Sequence, residues 1–368
     1  MARNNRHCDQ HTTAGVPKCW GFALAFLVLV AAVLGPKRGN GAETDSPLGS
    51  VIELRASREA GMRDWTLGAV PAGDLHFCNA GVDAPALLGT FQVGALFLTR
   101  SRAKAEPMSE VFSQGDGSLL LSSGDLDLGM PSGLDITAIL RFGRSLGLET
   151  RYFGITGWST SPIVRDPLNT GVRFEGFGTS IPFSAEQVDY ASRLYSFEVN
   201  ALPLVTEGVP VVLGFRTLQL HERFSLWQVD SSSPTLGLAS KTNNYLYGFQ
   251  VGAEPYLGGA GGPLRVDGLL KAGIYGNHAS QGASSPLLGT SADANRNSVA
   301  FAGEVGIAVV YRFNRLFAIR GGYELLWLDH IALAPDQSRK TSLAASSAEL
   351  GLGSALMHGA SASIEFAF

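Results

Sequence analysis

From about residue 88 to the C-terminus, hydrophobic residues recur at every second position, a period that fits strands and not amphipathic helices. Between Val299 and Arg312, one row holds Phe301, Gly303, Val305, Ile307, Val309 and Tyr311, and the other holds Ala302, Glu304, Gly306, Ala308 and Arg312. The next segment sets Phe317, Ile319, Tyr323, Leu325 and Trp327 against Arg320, Gly322 and Glu324. Val266, Leu270, Ala272 and Ile274 oppose Arg265, Asp267, Lys271 and Tyr275, while Tyr245, Tyr247, Phe249 and Val251 oppose Gln250 and Glu254. Read this way, the chain predicts strands near 89–99, 133–142, 146–157, 189–200, 209–222, 243–255, 265–277, 298–312, 315–329 and 357–368. Most run about 10 to 15 residues, against a usual mode of about 5 to 6. That length suits tilted strands crossing about 25 to 30 Å of hydrocarbon.

The gaps alternate in size. Short connections follow the second, fourth, sixth and eighth strands: Gly143 to Ser145, Pro203 to Gly208, Tyr256 to Leu264, and Phe313-Asn314. After the first, third, fifth, seventh and ninth strands the gaps are long, about 20 to 30 residues, and rich in Ser, Asp, Pro and Gly. Short turns on one side and long loops on the other mark an outer-membrane barrel, and an even strand number returns both ends to the side of the short turns. The fold class expected is therefore all-β: a closed antiparallel transmembrane β-barrel of about ten strands, within a range of about 8 to 12, with both ends in the periplasm. A closed barrel also pairs every backbone group in lipid and leaves no edge strand. Tyr245, Tyr311, Trp327 and Phe368 near the strand ends fit interfacial girdles. A soluble barrel would carry the same rows turned inside out, and the period alone does not separate the two.

Composition agrees. The chain of 368 residues is 45% hydrophobic and only 16% charged, with 45 glycines, which excludes a disordered tract; collagen's every-third glycine is absent. A formal net charge of -4, with no Lys/Arg stripe, excludes a nucleic-acid footprint.

The first 42 residues read as a signal peptide. Arg3, Arg6 and Lys18 precede the apolar run from Gly21 to Leu34, too short for a helical span, and Gly35-Pro36 and the small residues Gly39, Gly41 and Ala42 follow it. Its removal takes five basic residues and one acid, leaving 23 Lys+Arg against 31 Asp+Glu. Residues 43–87 form a periplasmic segment without assignment, and 88–368 the barrel. Cys8 and Cys19 lie in the leader, and Cys78 alone builds no disulfide framework.

The last residues, Ala360 to Phe368, alternate with Ile364, Phe366 and Phe368 on one face, ending on an aromatic. This resembles the signal by which the barrel-assembly machinery recognises outer-membrane barrels. With the apolar rows against lipid, the lumen receives Glu149, Arg151, Glu198, Arg216, Gln250, Glu254, Asp267, Lys271, Glu304, Arg320, Glu324 and Glu365. Eight strands are just filled by side chains, whereas water-filled porins need about 16. Ten strands lined by long residues of mixed sign are expected to be nearly plugged by ion pairs.

Several stretches look like the beta-barrel porin-7 family of bacterial outer-membrane proteins. They are Gly214 to Leu220, Thr242 to Glu254, Lys271 to Asn277, and Arg320 to Asp329 continuing through Ala334-Pro335-Asp336-Gln337. The resemblance covers about 185 to 368 and implies an outer-membrane location and a barrel. It implies no substrate and no catalytic residue.

Other chemistry is sparse. His278 and Ser280 share a face at the end of the seventh strand, as a lipid-cutting barrel would need, but no acid is placed to orient the imidazole. His358 and Ser361 are spaced less well. His76, His221, His278, His330 and His358 show no paired ligand spacing for a metal. Asp116, Asp125 and Asp127 lack the repeat of a calcium roll, and Gly258 to Gly262 reads as a turn, since no helix follows to cradle phosphate. The expectation is a non-enzymatic barrel without cofactor, structural or narrowly porin-like, with lipid and the assembly machinery as partners. A lipid-modifying enzyme, or a surface recognition barrel using the loops at 100–131, 158–187 and 330–356, is the alternative.

Overall fold

The computed structural model describes residues 89–101, 107–111, 119–142, 146–165, 172–203, 210–229, 234–259 and 262–368. The expected leader at 1–42, the segment 43–87 with His76 and Cys78, Asp116, and the expected short connections at 143–145 and 204–209 lie outside these residues.

Ten long strands follow one another: β1 Gly89–Arg100, β2 Ser132–Phe142, β3 Leu146–Thr160, β4 Ala185–Pro203, β5 Val211–Gln228, β6 Thr235–Ala253, β7 Leu264–Ser285, β8 Thr290–Arg312, β9 Phe317–Ile331 and β10 Gly353–Ala367. Each pairs antiparallel with its neighbours in sequence. The ring closes where β1 pairs with β10, from Thr90 opposite Ala367 to Arg100 opposite Met357. Gly89 N–H and Phe368 C=O are 3.1 Å apart, and the reciprocal bond is 3.0 Å. The protein is a closed, ten-stranded antiparallel transmembrane β-barrel. Among the described residues no helix is long and apolar enough to cross a membrane; the strands do so. The rim where β1 begins and β10 ends is called lower here, the opposite rim upper.

Closure decides which row faces out. Phe249 is 76% exposed, and Phe215, Val251, Ile274, Val305, Ile307, Val309, Tyr311, Ile319, Trp327, Ile364, Phe366 and Phe368 are exposed with it. A soluble surface rarely carries a continuous apolar wall of this kind. On β8 the outward row from Val299 to Tyr311 covers about 40 Å of strand at about 3.3 Å per residue, or about 30 Å of membrane at a tilt of about 40°. At the lower rim the rings of Tyr311, Phe313, Phe317 and Phe366 form a chain, with centroids 4.9, 5.2 and 5.4 Å apart.

The strands run further toward the upper rim than the alternation in polarity predicts. β5 continues to Gln228, β6 begins at Thr235, β7 continues to Ser285 and β8 begins at Thr290. The expected long loops after the fifth and seventh strands are thus hairpins with short connections at 229–234 and 286–289. The cause is a change of solvent on one face only. Above the lipid the outward row turns polar, with Gln219, His221 and Arg223 on β5 and Lys241 and Asn243 on β6, while the inward row stays buried through Leu220, Phe224, Leu226 and Leu238.

The other upper segments fold inward. Residues 107–111, 119–122, 172–176 and 179–183 contribute the strands of a small four-stranded sheet, and 335–339 form a 3-10 turn. Met108, Leu121, Leu126, Phe174, Phe177, Leu333 and Leu343 from these segments share one buried cluster with Leu96, Leu98, Phe153, Leu218, Leu220, Phe224 and Leu328 of the barrel wall. Phe174 and Phe177 lie 6.5 and 6.1 Å from the Phe224 ring. The hairpin carrying them turns at Phe177 (φ 52°) and Gly178 (φ 63°), and Phe177 is held by bonds with Ser338 and Leu343 of 2.6 and 2.8 Å.

Candidate functional site: the lumen network

Inward positions of the lower half carry charge, and the geometry of a ten-stranded ring brings charges from distant strands together. β3 and β8 stand five places apart in the ring, on opposite walls. Arg151 on β3 nevertheless donates to Glu304 on β8 at 2.6 Å, to Asp135 on β2 at 2.5 Å and to Glu324 on β9 at 3.4 Å. Arg216 on β5 donates to the other Glu304 oxygen at 2.8 Å and to Ser196 at 2.9 Å. Lys271 on β7 reaches Glu198 on β4 at 2.9 Å and Glu149 on β3 at 3.3 Å. Asn200 donates to Glu149 at 2.7 Å, and Gln250 to Glu198 at 2.6 Å. The inward Gly214 on β5 makes room here: a Cβ would collide with the Asn200 side chain and the Val199 carbonyl. The cluster has a ceiling as well as walls, since the Arg151 and Arg216 guanidiniums lie 5.0 and 5.5 Å from the Phe153 ring, where cation–π attraction adds to the ion pairs.

Below this tier lies a smaller one. Asp267 accepts from Arg320 at 2.9 Å and pairs with Arg265 at 3.0 Å, while Gln92 donates to Glu365 at 3.1 Å. Of the residues expected in the lumen, all but Glu254 are buried, at 8% exposure or less. Glu254 lies past the end of β6, half-buried, with its N–H bonded to the Pro210 carbonyl at 3.1 Å. The upper tier sets Asp135, Glu149, Glu198, Glu304 and Glu324 against Arg151, Arg216 and Lys271, an excess of two acidic side chains. Such a tier neutralises most of its charge internally, and desolvation makes each pairing obligatory: a buried charge stripped of its partner is far more costly than the pair.

A third polar cluster sits inside the apolar upper half. Glu222 on β5 is paired with Arg100 on β1 and accepts from Tyr190 at 2.9 Å and from the Ala334 N–H at 2.7 Å. Asn244 on β6 grips the backbone of Ala332 in both directions, at 2.8 and 2.7 Å. Asn277 donates to the His330 carbonyl at 3.0 Å. These contacts pin residues 331–334 inside the wall, and Ile331, Ala332, Leu333 and Ala334 are buried. Residues 331–343 of the segment read as an outer loop at 330–356 therefore enter the barrel mouth. Asp135, Arg100, Glu222, Asn200 and Asn244 escaped the sequence reading. Asp135 was signalled by its place in the row Gly133, Asp135, Thr137, whereas Arg100 lies just past a predicted strand end.

His278 and Ser280 face outward above the lipid-facing row. The His278 ring is 2.7 Å from the Asn297 amide oxygen, and Ser280 accepts from Asn243 at 3.4 Å. His358 meets the Tyr323 hydroxyl at 2.6 Å on the outer wall. Among the described residues no group of three or more His, Cys, Asp or Glu is arranged to hold a metal ion. Ile364, Phe366 and Phe368 form the exposed outward row of β10.

No protein-family model matches the chain, and no curated protein does. Among solved structures, the outer membrane protease OmpT from Escherichia coli overlaps at 6% identity, covering 76% of this chain and 97% of that one, with a TM-score of 0.41. The toluene transporter TodX from Pseudomonas putida overlaps at 8% identity, covering 77% and 90%, with a TM-score of 0.24. The anion-selective porin from Comamonas acidovorans does so at 11% identity, covering 75% and 99%, with a TM-score of 0.14.

Proposed function

We propose that the chain is an integral barrel of a bacterial outer membrane, exported by the leader at 1–42, that stays closed to diffusion and serves a structural role. The resemblance to the beta-barrel porin-7 family is carried in this reading as a relation of barrel type, not of transport. The observation that carries the proposal is the Arg151 to Glu304 contact of 2.6 Å between diametrically placed strands. Side chains that meet across the full diameter, joined there by Arg216, Glu198, Lys271 and Glu149, support a lumen filled at that level. The apolar cluster above it supports the same conclusion from a different direction, because ions do not cross a dry apolar layer.

The lower rim then faces the periplasm and the upper rim the medium. Ile364, Phe366 and Phe368 are the residues through which the assembly machinery would recognise the last strand. Reconstitution into planar bilayers tests the reading: steady conductance is expected to be absent, and a steady nanosiemens level would overturn it. Brief openings, where they occur, are expected to favour cations, since the upper tier carries five carboxylates against three cations.

The reading is non-enzymatic. His278 is oriented by an amide, Asn297, rather than by a carboxylate, so the acid of a Ser-His-acid arrangement is not in place beside it. His278→Ala is expected to leave the acyl composition of the surrounding lipid unchanged; an altered lipid profile would restore the lipid-modifying alternative.

A further inference from the structure

Glu186 is a buried acid held by one hydroxyl. It stands on the inward row of β4 near its upper end, opposite Gln228 of β5 on one side and Val164 of the short strand 163–165 on the other. Val188 and Tyr190, the next inward residues of β4, belong to the apolar cluster, and Glu186 is as fully buried as they are. One carboxyl oxygen accepts from the Ser109 hydroxyl; the other has no hydrogen-bond partner among the described residues. Ser109 is buried too, and lies opposite Phe174 in the small sheet that covers the mouth. A single polar bond thus joins wall and sheet where water is excluded.

The charged residues on the surrounding elements are few. Glu110, next to Ser109, pairs with Arg173 at 3.3 Å, and Glu175 is the other charge on 172–176. Arg165, beside Val164, is exposed. Asp189 lies on the outward row of β4 and accepts from Gln187 at 2.8 Å. Strand 119–122, the end of β3 from Ile155 to Thr160 and the end of β5 from Phe224 to Gln228 carry no ionisable group. Asp125, just past 119–122, accepts from the Ser122 N–H at 2.9 Å, and Asp336 and Arg339 sit on the 3-10 turn at the Phe177 end of the sheet. Among the described residues no cationic side chain pairs with Glu186. Burial acts on its carboxyl without a compensating charge and pushes it up to about 8. The site is clear of lipid: the aromatic outward residues of β4 begin only at Tyr195, about 30 Å further down the strand at about 3.3 Å per residue.

We infer that Glu186 and Ser109 form a proton-dependent latch: the small sheet is seated in the mouth while the Glu186 carboxyl is neutral, and loss of its proton frees the strand 107–111 from the wall. A neutral carboxyl keeps the Ser109 bond and places no charge among apolar neighbours. A carboxylate in the same place has one hydroxyl donor and no cation, and buried charge so poorly met is unfavourable. It reaches water only if the covering strand lifts, since β4 is held by pairing on both sides. The seated state keeps a proton that the lifted state gives up near the ordinary carboxylate value of about 4.3. Seating is therefore strongest below that value, weakens as pH rises toward about 8, and changes no further above it. The device covers the mouth in an acid medium and uncovers it in an alkaline one.

The test is hydrogen exchange of the full barrel in phosphatidylcholine vesicles from pH 6 to pH 9, corrected for the intrinsic rate of exchange. In wild type the opening constant of the amides at 107–111 should rise at least about tenfold across this range, while that of the β8 amides around Glu304 holds steady. Glu186→Gln cannot ionise, so at 107–111 its opening constant should stay flat. Glu110→Gln, which alters the neighbouring pair with Arg173 and leaves Glu186 in place, should keep the wild-type dependence. A wild-type constant that does not change with pH would overturn the latch without recourse to any variant. An equal rise in Glu186→Gln would assign the dependence to another group and overturn it too.

Discussion

Replacing Arg151 with methionine should destabilise the barrel by about 3–5 kcal/mol, the penalty for leaving buried charges without their partner. Arg151 is 1% exposed and answers Asp135, Glu304 and Glu324 at once. Methionine keeps the bulk and the apolar contact with Phe153, so the loss isolates the charge. Arg151→Lys should fall between, because a single ammonium cannot fork toward three strands. Adding Asp135→Asn to Arg151→Met should recover part of the loss, since one of the stranded carboxylates is then neutral. Urea midpoints of the barrel in lipid vesicles, read by tryptophan fluorescence, measure all of these. An Arg151→Met barrel as stable as wild type would mean that water enters the tier and solvates it, and the closed-lumen reading would fall with the stability argument.

The second large effect is expected at Asn244. Asn244→Leu preserves volume but deletes both bonds to Ala332, leaving a buried N–H and a buried C=O without partners. Each such group costs about 1–3 kcal/mol, enough to release residues 330–338 from the mouth while the strands stay paired. Hydrogen exchange should show protection falling across 331–338 and unchanged around Glu304 and Lys271. Conductance should remain absent, because the charged tiers below do not depend on this segment. Unchanged exchange at 331–338 would show that the apolar packing of Leu333 and Leu343 alone holds the segment in place.

Much of the fold was legible because lipid imposes period two so strictly. Each predicted strand corresponds to one of the ten observed, and errors concentrate at the upper ends of β4 to β8. There the outward residues His221, Arg223, Lys241 and Asn243 look like loop residues, although their inward neighbours remain core. The lumen was legible as a set of inward charges and not as a network. Arg151 and Glu304 are 153 residues apart, and Asn244 and Ala332 are 88 apart. Nothing local in the chain announces such pairs, because the ring places them together only once all ten strands have closed. The glycine-rich upper segments misled for a related reason. Their apolar residues are too scattered to read as strands, yet Met108, Phe174 and Leu333 have a common destination in the cluster above Phe153.

The sequence by itself determined that two rows exist, that ten segments carry them, and that an even count returns both ends of the barrel to one rim, since alternation and parity are properties of the chain. The period alone could not say which row faces inward; strand length, loop asymmetry and the last strand only argued for apolar rows against lipid. That was decided by the tertiary structure, for a physical reason: a row holding Glu149, Arg151, Glu198, Arg216 and Glu304 can be buried only where charges from opposite walls come within hydrogen-bonding distance, and such walls exist only in the closed ring.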